Sequence, residues 1–356
     1  MGLFKDMLSG SESLFLNEVA LDYDFMPKKL PYRESQQEYL AECIKPLLLK
    51  RNGKNLFVFG SPGIGKTAAC KKVLDELEQE TDEVLPVYIN CWEHNTTYKV
   101  AVEICSITGY RLTMNKKTNE LMAIVVENLN KLNGAVLVFD EIDKAEDIDF
   151  LYTFLEKLYR KSIFLISNNK DDVLELDERI KSRLLPEMLE FQPYNLAETE
   201  GILRQRKDLA FAKNVWGEDA FMLVVKKTFE LKDIRKGLHL MRESGSVAEQ
   251  HASRNVLLEH AEKSVSKLSE FFAKDSEELA DSEKKILELI KQSPNKKIGE
   301  LYKQLQESGS NISYKSFQRK IEKLEKGKFI SADKTGGGKQ GNTKIINIKD
   351  KQLTDY

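Results

Sequence analysis

The 356-residue sequence is 31% charged and 41% apolar, the balance of a charge-rich globular chain long enough for two or three domains. No run of 18 apolar residues occurs, which excludes a transmembrane helix of that kind, and neither the four cysteines nor the four scattered histidines fall at metal-ligand spacing, so no zinc site is expected. The net charge of −2 hides a split: positions 281–356 carry 17 Lys/Arg against 10 Asp/Glu, leaving 38 against 47 in the rest, so a basic tail follows an acidic body.

In chain order, the N-terminus lacks a signal-peptide core, and Asp6 stands where a myristoylation signal needs Ser or Thr. Cys43, Cys70, Cys91 and Cys105 read as reduced thiols, so a cytoplasmic location with no membrane partner is expected. Residues 1–30, with the apolar patch Leu14-Phe15-Leu16, are expected to form an arm that packs on the first domain. Helical spacing over 34–50 is interrupted near its end by Pro46. Five short apolar runs follow, at 55–59, 84–90, 135–140, 162–167 and 188–191, each separated by a helix-length segment. That is the pattern of a parallel α/β sheet covered on both faces.

The first run leads into Gly60-Ser61-Pro62-Gly63-Ile64-Gly65-Lys66-Thr67, followed by a helical segment from Ala68 to 80. G-x-x-x-x-G-K-T between a strand and a helix is the phosphate-binding loop. Its glycines let several backbone N–H groups converge on an anion at a helix N-terminus. Lys66 is placed to reach the outer phosphates of ATP or ADP, and the Thr67 hydroxyl to hold Mg²⁺. The third apolar run ends in Asp140-Glu141, at the carboxyl edge of a strand where such sheets present ligand-facing groups. Asp140 suits a magnesium partner and Glu141 the general base that polarises water. Asn168, at the end of the fourth run, is placed to orient that water, although asparagine after a strand is also an ordinary turn residue. Arg179 and Arg183 share one helix face and are candidates to reach a neighbouring molecule's triphosphate. Strand signals stop after Pro193, and helical periodicity occupies 196–212, 217–230, 233–250 and 253–272. There Asp233 suits an N-cap, while Arg235 sits in a first turn whose dipole it opposes, which marks it for phosphate contact.

From about residue 30 to 272 the chain resembles the archaeal AAA+ replication initiators, the family related to the origin recognition complex and its cell-division-cycle loading factor. The resemblance rests on Leu30-Pro31-Tyr32-Arg33-Glu34, Tyr88-Ile89-Asn90-Cys91, Thr97-Tyr98-Lys99-Val100, Asp140-Glu141-Ile142-Asp143, Ile166-Ser167-Asn168-Asn169, Leu176-Asp177-Glu178-Arg179, Pro193-Tyr194, Leu203-Arg204-Gln205-Arg206 and the block from Asp233 to Glu249. It implies that Asn168 and Arg235 are the first and second sensors. It also implies that Pro31, Tyr32 and Arg33 lie near the adenine, that Tyr194 and Arg206 belong to the nucleotide site, and that 97–120 holds a DNA-touching insertion. The trans-acting arginine maps to Arg179 or Arg183. Where the family usually reads Gly-Asp-Ala-Arg-Arg-Ala-Leu, this chain has Lys232, Ile234, Lys236 and Gly237, so Arg235 stands in an altered setting.

The tail reads as a winged helix on its own residues. Helical segments at 282–292, 298–307 and 313–327 precede two strands, 328–331 and 344–348, joined by a glycine-rich tip at 334–342. The third helix would bury Phe317, Ile321 and Leu324 and present Tyr314, Lys315, Gln318, Arg319 and Lys323 to a major groove, with Lys334 and Lys339 at the tip reaching phosphates.

The expected layout is a nucleotide-binding base domain at 1–192, an all-helical lid at 193–272, a linker at 273–280, a winged helix at 281–350 and a tail at 351–356. The expected function is an ATP-switched, nucleoid-associated initiator. It would bind origin duplex DNA, alone or with further initiator copies, and recruit or load an MCM-type replicative helicase. The alternative is a winged-helix AAA+ regulator or adaptor for transcription, signalling or transposition.

Overall fold

The computed structural model describes residues 13–277, 281–293, 296–307, 312–326, 330–335 and 343–348. In chain order these form α1 (Glu34–Leu48), β1 (Leu56–Phe59), α2 (Lys66–Glu80), β2 (Val84–Asn90), α3 (Thr97–Ile107), α4 (Thr118–Asn130), β3 (Gly134–Asp140) and α5 (Asp149–Lys157). They continue with β4 (Lys161–Ile166), α6 (Asp172–Glu175), α7 (Glu178–Leu184), β5 (Glu187–Glu190), α8 (Leu196–Ala210), α9 (Glu218–Leu231), α10 (Ile234–Gln250) and α11 (Leu258–Glu277). The tail contributes α12 (Asp281–Gln292), β6 (Lys296–Lys297), α13 (Ile298–Glu307), α14 (Tyr314–Lys326), β7 (Ile330–Thr335) and β8 (Thr343–Ile348).

The five expected apolar runs are all strands, and they pair in parallel in the order β2-β3-β4-β1-β5. Every residue of β3 is buried, because side chains of both faces meet a core. Phe139 and Leu137 join Phe150 and Phe154 on one face, while Val136 and Val138 join Leu74, Leu40 and Phe164 on the other. The crossover order brings the carboxyl ends of β1, β3 and β4 side by side. This is where open α/β sheets place their ligands.

The chain divides into two compact units, and the dividing points differ from those expected. One unit is Asn17–Ala210 with Lys232–Leu238; the other holds the described residues 13–16, Phe211–Leu231 and those from His239 on. Helix α8 falls in the same compact unit as the sheet. The arm is divided as well: the 3₁₀ turn Glu18–Leu21 belongs with the sheet unit, but Leu14 and Phe15 belong with the other unit. The Phe15 ring lies 4.6 Å from that of Phe211, and the Leu14 N–H donates to Glu249 Oε1 at 2.8 Å. Gly245 permits this, since a Cβ there would come within 2.4 Å of the Phe15 ring. Pro46 does not break α1, which carries it in its last turns and ends at Leu48. Helix α11 continues to Glu277, so most of the polar stretch expected as a linker is helical.

The tail has the element order of a winged helix. Ile286, Ile290, Leu301, Leu305, Phe317, Ile321, Leu324, Ile330 and Ile346 form its core, confirming the buried stripe expected on α14. Its sheet has three strands in the order β6-β8-β7, all antiparallel, with the two-residue β6 added to the two expected strands. The hairpin tip at 336–342, with Lys339, lies outside the described residues.

Candidate nucleotide site

The loop from Gly60 to Gly65 leaves the buried end of β1 and turns through three glycines with positive φ, at 142°, 74° and 92°. Each is boxed in. An added Cβ would lie 2.4 Å from the Phe191 carbonyl at Gly60, 1.8 Å from Asp233 Oδ1 at Gly63 and 2.7 Å from Tyr194 Oη at Gly65. Gly65 caps α2 in the left-handed region with no side-chain cap, which leaves the first N–H groups of Lys66, Thr67 and Ala68 directed at the cavity mouth for an anion. The Lys66 ammonium is buried and donates to the carbonyls of Gly60 and Ser61 and to Asn168 Oδ1, at 2.6, 2.9 and 3.0 Å. Burial lowers its pKa to about 8, against the opposing pull of Asp140.

Asp140 ends β3 opposite Asn90 of β2. Its Oδ2 accepts the Thr67 hydroxyl at 2.6 Å and the Tyr88 hydroxyl at 2.8 Å, and its Oδ1 accepts the Glu141 N–H at 2.9 Å. A hydroxyl and a carboxylate touching each other are hard oxygen donors, suited to Mg²⁺ completed by water and phosphate oxygens. Among the described residues no cluster of three or more His, Cys, Asp or Glu could hold a metal by itself, so such an ion fits here only together with a phosphate. Glu141 occupies the left-handed region, φ 53°, beside the cavity. Burial, Asp140 and Asp143 push its carboxyl above the usual range, in that order.

The cavity is lined on one side by Pro62, Gly63, Gly65, Lys66, Thr67, Ala68 and Lys71, and on the floor by Asp140, Glu141, Ser167 and Asn168. Of the remaining wall, Pro31, Tyr194, Arg206 and Arg235 were expected at the nucleotide site, whereas Tyr23, Phe25, Met26, Pro27 and Leu30 of the arm and Ile202, Gln205, Ile234 and Leu238 of the helices were not legible in the sequence. A wall this rich in apolar side chains suits a flat heteroaromatic base. Arg206 holds the arm there: its guanidinium donates to the carbonyls of Ala20 and Phe25, both at 3.1 Å, and lies 5.0 Å from the Phe25 ring.

Several expected contacts take another form. Arg33 does not line the cavity; it is buried behind the loop, donating to the Ile64 carbonyl at 3.0 Å and the Gln192 carbonyl at 2.7 Å and stacking 3.8 Å from the Tyr194 ring. It braces the phosphate loop's backbone. Tyr32 also lies off the cavity, at φ 63° with its hydroxyl against Gly201. Gly60 and Ser61 act through carbonyls that receive Lys66, and Ile64 is buried in the core, so none of the three lines the cavity. Arg235 does line it, with its guanidinium on the buried Asp233 carboxylate at 2.9 and 3.1 Å. Asp233 is the N-cap expected, accepting from the Arg235 N–H at 2.9 Å. Arg179 and Arg183 stand apart from the cavity on α7. Arg179 is exposed and paired with Asp177 at 3.2 Å, and Arg183 lies 4.9 Å from the Tyr152 ring.

On the tail, Tyr314, Lys315 and Arg319 are exposed on α14 and Gln318 is half-buried. Lys315 and Arg319 lie on the side away from the buried Phe317, Ile321 and Leu324, whereas the Tyr314 ring packs edge-on against Tyr302 at 5.0 Å beside that core. Lys323 lies on the same helix and Lys334 on β7. The segment 97–120 comprises α3, a loop with Leu112 and Met114 exposed, and the first turn of α4. Among the described residues no helix is long and apolar enough to cross a membrane.

Residues 49–171 match the AAA domain family and residues 200–266 match the Cdc6 AAA+ ATPase-type lid domain family. The chain is 31% identical to ORC1-type DNA replication protein 2 of Methanothermobacter thermautotrophicus, across 96% of this chain and 94% of that one. The protein of the same description from Methanosarcina acetivorans is also 31% identical, across 97% and 95%. Among solved structures, the Aeropyrum pernix ORC1 protein in complex with DNA superposes with a TM-score of 0.68 at 26% identity, across 97% and 96% of the two chains. Cdc6p from Pyrobaculum aerophilum shares the fold, with a TM-score of 0.64 at 20% identity across 96% of each chain.

Proposed function

The chain belongs to the ORC1-type DNA replication protein family, and we propose that it is an ATP-switched initiator that grips origin duplex through α14 and the AAA+ body. The observation that carries this reading is the alignment of nearly the whole chain, phosphate loop to tail, with relatives of that description. The exposed Lys315 and Arg319 of α14 support it, both free of the core that Phe317 and Ile321 fill.

In the nucleotide site the first N–H groups of α2 and Lys66 hold the phosphates, and the arm wall that Arg206 braces holds the base. Thr67 and Asp140 would hold Mg²⁺, which neutralises charge on the outer phosphates. Glu141 takes the proton from an attacking water that Asn168 orients, and Arg235 leaves Asp233 to meet the terminal phosphate. Arg235 is the element that reports which nucleotide is bound. With so small a catalytic set and the trans arginine supplied by another molecule, hydrolysis is slow and acts as a switch. The ATP state recruits or loads the replicative helicase.

Duplex affinity should fall steeply with salt, through counterion release. The double variant Lys315→Ala/Arg319→Ala should bind duplex at least about ten-fold more weakly at fixed salt while retaining ATP affinity, since each phosphate contact adds to the salt slope. Unchanged duplex affinity in that variant would remove α14 from the interface. Chromosome-wide mapping of bound sites tests the origin role: occupancy at promoters or element ends, and not at replication start sites, would replace it with a regulatory one.

A further inference from the structure

The geometry points to Tyr88 as a positioning residue for the metal-binding carboxylate, one that determines which oxygen of Asp140 faces the cavity. The inference rests on the nucleotide site proposed above. Tyr88 lies on β2, two positions before Asn90, and Asn90 is the register partner of Asp140. Its side chain reaches from the neighbouring strand and donates its hydroxyl to Asp140 Oδ2 at 2.8 Å. The same oxygen accepts the Thr67 hydroxyl at 2.6 Å. A carboxylate oxygen offers two lone-pair directions, so Oδ2 is fully engaged. Among the described residues Oδ1 accepts only the Glu141 N–H, at 2.9 Å, which leaves one direction for the cavity.

The ring is held as firmly as the hydroxyl. Tyr88 packs against the core that includes Phe164, Ile166 and Leu74, and the Lys71 ammonium lies 4.4 Å from the ring centroid. Lys71 itself lines the cavity. A chain of contacts thus runs from the cavity wall through the Tyr88 ring to the carboxylate on the floor. Thr67 does not duplicate this hold, because its own hydroxyl oxygen would also be engaged with the ion. Without the Tyr88 hydroxyl, Oδ2 regains a free direction and the carboxylate is held only by Thr67 and the Glu141 N–H among the described residues.

The test separates metal affinity from nucleotide affinity. ADP binding by the full chain is measured by titration calorimetry in EDTA and over a Mg²⁺ series, for the unaltered protein, Tyr88→Phe, Asp140→Asn and the double variant. Tyr88→Phe keeps the ring and its packing, so the thermal melting curve and the ADP affinity in EDTA are expected to be unchanged. The Mg²⁺ concentration for half-maximal enhancement is expected to rise about ten-fold or more, the usual cost of losing an outer partner of a metal ligand. In the Asp140→Asn background, Tyr88→Phe is expected to have no further effect. An unshifted Mg²⁺ midpoint in a folded Tyr88→Phe protein overturns the assignment. So does an equal shift in the Asp140→Asn background, which remains informative even if the single variant is less stable. Failure of the unaltered protein to bind ADP in any Mg²⁺ would instead remove the nucleotide-site reading itself.

Discussion

Nucleotide binding should be accompanied by proton uptake at Lys66, with a pH dependence set by its burial. The ammonium is 7% exposed, and its three donors go to two neutral carbonyls and an amide oxygen, not to a carboxylate. Loss of hydration is the largest influence and lowers its pKa to about 8. Phosphates brought against it favour the charged form and raise that pKa again. The sign follows: between the free and bound pKa values, binding draws a proton from the buffer. With a bound value above 10, uptake should be about 0.1 proton at pH 7, about 0.5 at pH 8 and about 0.9 at pH 9. Affinity should then fall by a factor approaching about ten per pH unit above pH 8. Calorimetric titration with ADP in two buffers of different ionisation enthalpy measures the uptake directly. The phosphates are fully ionised at pH 8 and do not contribute. Lys66→Arg, at saturating nucleotide, should abolish the buffer dependence because guanidinium keeps its proton throughout. Equal heats in both buffers at pH 8 and pH 9 would show that Lys66 is charged before binding, and the argument from desolvation would fail.

Other consequences are equally direct. Glu141→Gln should retain ATP but reduce turnover by about 10²-fold or more, the usual contribution of a general base; turnover at the unaltered rate would exclude Glu141. Because the Glu141 carboxyl is raised, the base is lost as pH falls through a value above the ordinary glutamate range. Asp143→Asn, which removes one of the raising charges, should move that acid limb of the rate profile to lower pH, and an unmoved limb would count against this account. Arg206→Ala removes two charged hydrogen bonds to the carbonyls of Ala20 and Phe25, each worth about 1.5–3 kcal/mol, so nucleotide affinity should drop about ten-fold or more by equilibrium titration. Phe317→Ala, at a side chain 0% exposed in the tail core, should destabilise that unit by about 3–5 kcal/mol in denaturant unfolding.

The parts of the site carried by one continuous segment were legible from residues alone. Gly60 to Thr67 is recognisable along one segment, because its three glycines take positive φ and a helix follows directly. Asp140 and Glu141 were legible from strand chemistry, and the α14 stripe from helical period. The place near the adenine that the resemblance implied for Arg33 and Tyr32 is not where they lie, because burial makes one a brace behind the loop and a left-handed backbone sets the other against Gly201.

The tertiary structure alone decided the rest. Which strands are neighbours set Tyr88 beside Asp140, 52 residues away in sequence. Local pattern records which face of a strand is apolar, but it contains no information on pairing order. The same is true of the arm, whose Phe25 and Met26 wall the cavity only because Arg206, 181 residues from Phe25, takes its carbonyl. The sequence by itself determined the phosphate loop, the sheet class and the basic face of the tail, all of them local in the chain. Long-range pairing determined the base wall, the brace behind the loop and the hold on Asp140, because those contacts join segments whose individual patterns are only those of strand, coil and helix.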